Sequence, residues 1–177
     1  MKLIILDRDG VINEDSDVYV KSAAEWHPLK GSAEAIARLT HAGFRVVVAT
    51  NQSGIGRGLF DMATLNLMHE KMHKVVAQAG GRIHAVFYCP HKDDDDCACR
   101  KPKPGMFVEI AKRFNTDLRG VPCIGDALRD LKAGVAAGAA AALVKTGKGM
   151  KTLAAGGLPE NTLVFDDLAA AAVHYCG

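Results

Sequence analysis

The stretch DRDG at residues 7–10 sets two carboxylates, Asp7 and Asp9, two positions apart. In extended backbone both project to one side, so one can attack an electrophile while the other donates a proton and later removes one. Gly10 allows a sharp exit from the strand. A calcium-loop reading fails, because glycine falls at the fourth position and no glutamate closes the loop. A single Asp-x-Asp is more often a solvated bend than a reactive pair. Three further stretches change that balance: TNQSG from Thr50, RKPKPG from Arg100 and GDALRD from Gly125 add a hydroxyl, a lysine and two more carboxylates, Asp126 and Asp130. A carboxylate that attacks a phosphate dianion needs a cation and an ammonium to offset their repulsion, and hard oxygen ligands suit Mg²⁺.

A second constellation adjoins the lysine. In CPHKDDDDCACRKPKPG (89–105), Cys89, His91, Cys97 and Cys99 offer three thiolates and one imidazole. That set suits a closed tetrahedral Zn²⁺ site, which has no open position for water and is therefore structural. Five cysteines is an odd number, Cys97 and Cys99 are too close for a comfortable disulfide, and clustered cysteines in a reducing compartment favour metal. A redox pair or unrelated free thiols are the other readings. Cys123 reads as a buried thiol and Cys176 as a terminal residue. A zinc cage would pin a loop that lacks periodic apolar residues and deliver Arg100 and Lys101 to the reactive carboxylates. The four aspartates, 93 to 96, read as the solvated outer bend.

These groups need a frame, and the apolar pattern supplies one. Short apolar or β-branched runs at 3–6, 45–49, 85–88, 121–124, 141–144 and 163–165 read as strands. Between them, three-and-four spacings predict helices over 32–42, from Asp61 to a stop at Gly80-Gly81, from Pro104, over 128–137 and over 168–175. The alternation predicts an α/β fold, a doubly wound (Rossmann-like), mostly parallel sheet with helices on both faces. Ligands of such sheets bind beyond the C-terminal strand ends, which is where Asp7, Thr50 and Asp126 fall. One domain over 1–177 with a zinc-binding loop at 89–99 is expected from the length.

Twenty-two Lys+Arg against 20 Asp+Glu leave a net charge of +2, which argues against nucleic-acid binding through bulk charge. No segment has 18 uninterrupted apolar residues and the start MKLIIL is too short for a signal or a span, so the expectation is a cytoplasmic monomer with no membrane partner.

Taken together, DRDG, TNQSG, RKPKPG and GDALRD, in that order, resemble the haloacid-dehalogenase-type phosphohydrolases along essentially the whole chain. By that resemblance Asp7 is the nucleophile that becomes an aspartyl phosphate, and Asp9 is the acid and then the base. Thr50 would hold a phosphoryl oxygen and Lys101 would neutralise the phosphate. Asp7, the backbone carbonyl of Asp9, and Asp126 would bind Mg²⁺, while Asp130 would orient the metal water or Lys101.

CPH followed by CxCRKPxPGM, with TNQSGIGRG upstream, narrows the resemblance to the D-glycero-D-manno-heptose-1,7-bisphosphate 7-phosphatases, with the histidinol-phosphate phosphatases sharing much of the pattern. It implies a small phosphorylated sugar substrate, the nucleotide-heptose route to lipopolysaccharide, and contacts from Arg8, Asp15, Tyr19, Asn51, Gln52, Ser53 and Arg100. Two departures stand out: the loop EDSDVYV is one residue longer than in that family, and Ala127 stands where some relatives carry a substrate-touching lysine. Arg57 is either a second phosphate contact or surface, and the GIGRG glycines read as substrate-loop residues. Trp26, His27, His41, His69, His73 and His174 read as packing or surface residues. The segments between motifs leave little room for a cap domain. A phospho-receiver signalling domain shares the sheet, the accepting aspartate, the hydroxyl and the lysine, but it has no use for an acid–base residue two positions past the nucleophile.

Overall fold

A computed structural model describes residues 1–177. Six strands form one sheet: β1 (Lys2–Leu6), β2 (Phe44–Asn51), β3 (Ile83–Cys89), β4 (Pro122–Gly125), β5 (Ala140–Val144) and β6 (Leu163–Phe165). Their spatial order is β3-β2-β1-β4-β5-β6 and every pairing is parallel. The expected mostly parallel sheet is thus parallel throughout. Strand order reverses between β1 and β4, and a crevice opens beyond the carboxyl ends of strands at such a switch point. Asp7 directly follows β1 and Asp126 directly follows β4, so both carboxylates lie at its mouth. The backbone clamps them together: Asp7 N–H donates to the Ile124 carbonyl at 2.9 Å.

Strand alternation divides the core between the two faces. Ile4, Leu6, Val46 and Val48 point one way, and Leu3, Ile5, Val47 and Ala49 the other. The first face is covered by α1 (Ser32–His41), α2 (Met62–Gln78) and α6 (Leu168–Cys176), the second by α3 (Gly105–Arg113) and α4 (Leu128–Ala136). The α2 start matches its sequence signal, since the Asp61 carboxylate accepts from Thr64 N–H at 2.9 Å. Cys123 is a buried thiol, as expected.

One helix was not expected. α5 (Gly149–Ala155) is only seven residues long and places Leu153 against Leu131, Ala141 and Leu143. Its Thr152 hydroxyl donates to the Asp126 carbonyl at 2.7 Å, so the short helix braces the strand end that carries Asp126. The segments between the four motifs are consumed by sheet, helices and short loops, and no inserted cap is present. No helix is long and apolar enough to cross a membrane.

Candidate active site

Lys101 is the centre of the site. Its side chain is 1% exposed, and its ammonium lies 2.7 Å from Asp130 Oδ1, 2.9 Å from Asp7 Oδ1 and 2.8 Å from the Ala49 carbonyl. Burial works against its charge, but the Asp130 and Asp7 carboxylates outweigh that and raise its pKa. Asp130 Oδ2 also accepts Ala127 N–H at 3.0 Å, closing the first turn of α4. With both oxygens engaged, Asp130 holds Lys101. Although burial alone would raise its pKa, Lys101 and Arg129 keep it below the usual carboxylate range.

Asp7 and Asp126 differ. Burial and the charge of Asp130 push Asp7 up to about 7, and burial with Asp7 and Asp130 pushes Asp126 up to about 8. Oxygens of Asp7, Asp126 and Asp130 all come within 4.8 Å of one another. Three buried carboxylates against one buried ammonium leave a deficit of positive charge in low dielectric. A hard divalent cation with oxygen ligands such as Mg²⁺ fits that deficit and that donor set. The backbone comes very close here. A Cβ on Gly10 or Gly147 would overlap the Asp126 carboxylate, and both glycines adopt positive φ.

Asp9 faces the same cleft in a different environment. Its Oδ1 accepts from Arg8 Nε at 3.0 Å, Arg8 Nη2 at 2.8 Å and Asn13 Nδ2 at 2.8 Å, whereas Oδ2 accepts only from Gln52 Nε2 at 3.1 Å. Burial opposes ionisation, but the Arg8 charge and the Asn13, Arg8 and Gln52 hydrogen bonds hold its pKa below the ordinary value. The Gln52 amide also donates to Thr50 Oγ1 at 2.9 Å, so one side chain ties the ends of β1 and β2.

The cleft has a volume of about 190 Å³ and is almost wholly polar in lining. Asp7, Asp9, Asp15, Tyr19, Asn51, Gln52, Ser53, Arg100, Lys101 and Asp126 all contribute to its wall. Thr50 lies fully buried beneath it. Two expectations need correction. The Arg8 side chain has no exposed surface and points toward α2, because its charge is consumed by Asp9. The GIGRG glycines do not line the cleft: Gly54 packs on Phe60, and Gly56 lies against the Pro90 carbonyl, to which its N–H donates at 2.9 Å. Arg57 sits outside the wall, 3.5 Å from Asp93 and over the Tyr19 ring at 5.9 Å.

Two cationic wall residues escaped the sequence reading. Arg129 has no hydrogen bond or ion pair with the protein and lines the cleft beside the carboxylates. It lies inside the quoted GDALRD, so the signal was present. Lys148 pairs with Asp15 Oδ2 at 3.2 Å, and its backbone N–H donates to Asp126 Oδ2 at 2.8 Å. It follows the carboxyl end of β5, and the strand-end rule applied to that strand would have found it.

The cysteine loop ends at this wall. Cys89 Sγ lies 3.5 Å from His91 Nδ1, 3.7 Å from Cys97 Sγ and 2.8 Å from Cys99 Sγ, and Cys99 Sγ is 3.4 Å from His91 Nδ1. Four converging soft and imidazole donors can hold a metal ion such as zinc. The two residues after Cys99 are fastened separately. Arg100 pairs with Asp93 at 2.8 Å, and the Asn51 amide both donates to and accepts from the Lys101 backbone, at 3.1 and 3.0 Å. All four aspartates, 93 to 96, are exposed, as a solvated bend requires, and Asp93 also holds the arginine.

The HAD-hydrolase-like family model matches residues 98–171. The D-glycero-beta-D-manno-heptose-1,7-bisphosphate 7-phosphatase of Bordetella bronchiseptica is 64% identical over 172 residues, covering 97% of this chain and 96% of the relative. The enzyme of that name from Pseudomonas putida is 56% identical over 97% of this chain and 98% of its own. Among solved structures, the D,D-heptose 1,7-bisphosphate phosphatase of B. bronchiseptica, complexed with magnesium and phosphate, superposes with a TM-score of 0.98 at 63% identity. That match covers 99% of this chain and 98% of that one. The corresponding phosphatase of Burkholderia thailandensis gives a TM-score of 0.80 at 58% identity, with 99% and 98% covered.

Two measurements probe these charges and ligands. Protein prepared without chelator should carry about one zinc per chain, and Cys97→Ser should lower zinc content and catalytic rate together with Mg²⁺ still supplied. Metal analysis alongside turnover would check it; full rate in a zinc-free variant contradicts the role of the cage. Asp7 and Asp126 are acids whose folded pKa exceeds the unfolded one, so without Mg²⁺ the fold keeps protons the unfolded chain has lost. Above about pH 6.5, where buried His69 no longer pulls the other way, stability should therefore fall as pH rises to about 8, and added Mg²⁺ should raise the melting temperature more at the alkaline end. Thermal melts across that range, with and without Mg²⁺, report the sign.

Proposed function

The chain belongs to the family of D-glycero-beta-D-manno-heptose-1,7-bisphosphate 7-phosphatases, and from that premise we propose that it hydrolyses the 7-phosphate of D-glycero-D-manno-heptose 1,7-bisphosphate through an aspartyl phosphate on Asp7. The observation that carries the reading is the pairing of Asp7 with buried Lys101, beside an Asp9 whose carboxylate is held separately by Arg8, Asn13 and Gln52. Two carboxylates two residues apart thus sit in different electrostatic settings, as divided labour requires.

In the first half-reaction an Asp7 oxygen attacks phosphorus and the bond from phosphorus to the sugar oxygen breaks. Asp9, whose charged form Arg8 favours against the pull of burial, takes up a proton as the phosphate dianion enters beside it and delivers that proton to the leaving oxygen. In the second half, Asp9 takes a proton from water, the hydroxyl attacks phosphorus, and orthophosphate leaves with Asp7 restored. The Lys101 ammonium offsets charge on the phosphoryl oxygens, and the Thr50 hydroxyl with the Asn51, Gln52 and Ser53 segment holds them. Asp7, the Asp9 carbonyl and Asp126 would hold Mg²⁺, which when bound supplies charge neutralisation between phosphate and nucleophile. Asp15 and Tyr19 contact the sugar, and the cationic wall of Arg100, Arg129 and Lys148 suits the second phosphate, with Arg57 outside it over the Tyr19 ring. The Arg129 side chain feels the carboxylates but makes no hydrogen bond or close ion pair with them, so it can meet a phosphate without first breaking one. The reading takes the chain to act as a cytoplasmic monomer supplying a lipopolysaccharide precursor route.

Phosphate release with Mg²⁺ should be compared for both anomers of the heptose bisphosphate and for histidinol phosphate. The expected outcome is fast release from a heptose anomer, with Asp7→Asn and Asp9→Asn lowering kcat by about 10²-fold or more while the fold is kept. Preference for histidinol phosphate would overturn the substrate, and substantial turnover by Asp7→Asn would overturn the mechanism.

A further inference from the structure

His69 is a histidine in a position built for an apolar side chain. On α2 it falls in the core-facing series Leu65, Met68, His69, Met72 and Val76, and it is buried to 9% exposure. A polar ring on that face needs a partner, and it has one. His69 Nε2 lies 3.2 Å from Arg8 Nη1, while the Met68 sulfur stands 4.0 Å from the same nitrogen. A guanidinium only donates, so Nε2 must accept and the ring proton sits on Nδ1. Burial, with Arg8 next, pushes the imidazole down to about 3, which keeps that lone pair available.

Arg8 spends its remaining donors on one atom. Nε and Nη2 both reach Asp9 Oδ1, where Asn13 adds a third hydrogen bond. Oδ1 is thereby saturated, and Oδ2, with Gln52 alone, is the oxygen that remains for proton transfer. The plane of the guanidinium thus sets the plane of the Asp9 carboxylate, and the far edge of that guanidinium is anchored by His69.

We propose that His69 is a positioning residue for the acid–base step, holding Arg8 so that Asp9 presents Oδ2 to the leaving oxygen. The inference rests on the assignment of Asp9 as acid and base given above. Replacing His69 with methionine removes the acceptor, leaves a buried Nη1 donor unpaired and frees the guanidinium to turn. His69→Gln restores an acceptor of similar reach.

The test uses kcat/KM, which covers the steps through departure of the leaving group, on two substrates. The heptose oxygen leaves only with a proton, whereas p-nitrophenolate leaves without one. His69→Met should lower kcat/KM for the heptose bisphosphate by about 10–100-fold, within the range that acid–base placement can supply, and leave that for p-nitrophenyl phosphate nearly unchanged. His69→Gln should recover most of the loss. Arg8→Lys, which cannot span both Asp9 and His69, should show the same dependence on leaving group and serves if the methionine variant does not fold. Equal losses on both substrates, or none on either, would overturn the inference. Asp9→Asn separates the two levels. If Asp9→Asn shows the leaving-group dependence and the His69 and Arg8 variants do not, the inference fails alone. If Asp9→Asn itself keeps heptose turnover, the acid–base assignment fails first.

Discussion

A lysine ammonium buried between two carboxylates is the constraint around which the rest of this structure is arranged. Lys101 is out of water, so its charge is tolerable only while Asp7 and Asp130 stay within 3 Å. Those partners come from different parts of the chain: Asp7 follows β1, Asp130 belongs to the first turn of α4, and Lys101 ends a long loop after β3. The parallel sheet brings the first two together at the switch point between β1 and β4. The third is held from the sheet only at the end of β2, where Asn51 takes its backbone and the Ala49 carbonyl its ammonium. The loop from Cys89 to Lys101 must cross to the same point with little apolar surface to guide it, and a metal held by its Cys–His cluster would supply the missing stiffness.

That division explains the odd adjacency of soft ligands, acid and base in residues 89–105. The Cys–His cluster would fix the loop on binding a metal, Asp93 orients Arg100, and Asn51 grips the Lys101 backbone from the end of β2. Each fastening uses a different chemistry, so each sets a different residue. The cation-poor carboxylate cluster is the complement of this arrangement. Burial first, and mutual repulsion next, raise the pKa values of Asp7 and Asp126, and a divalent ion between them would relieve both.

Much of this was legible in the residues. All six strands follow from apolar runs; the inner strands β1, β2, β4 and β5 are buried on both faces and carry almost uninterrupted apolar sequence, whereas the edge strand β6 is exposed and β3 largely half-buried. The carboxylates of the cleft follow from the rule that ligands gather at strand ends, and the Cys and His positions mark the donors that converge in the loop. What escaped has a common physical cause. α5 is seven residues long, too short for a clear periodicity, and Thr152 matters only through its contact with the Asp126 carbonyl. Lys148 stands in a glycine-flanked loop whose position depends on that helix. His69 is invisible along the chain, because its partner Arg8 lies 61 residues away and a single histidine on an apolar helix face has no spacing signature. Arg8 misled for the opposite reason: its neighbours in sequence are catalytic candidates, yet its side chain turns back into the core.

The central claim is that Asp7 itself accepts the phosphoryl group. Acid quenching within the first turnover with the heptose bisphosphate and Mg²⁺, followed by peptide mass spectrometry, addresses it directly. The account predicts one phosphoryl adduct on the peptide that carries Asp7, appearing and decaying with turnover. A phosphoryl group on another residue would contradict it, as would transfer to water traced to a single displacement with no adduct at any time.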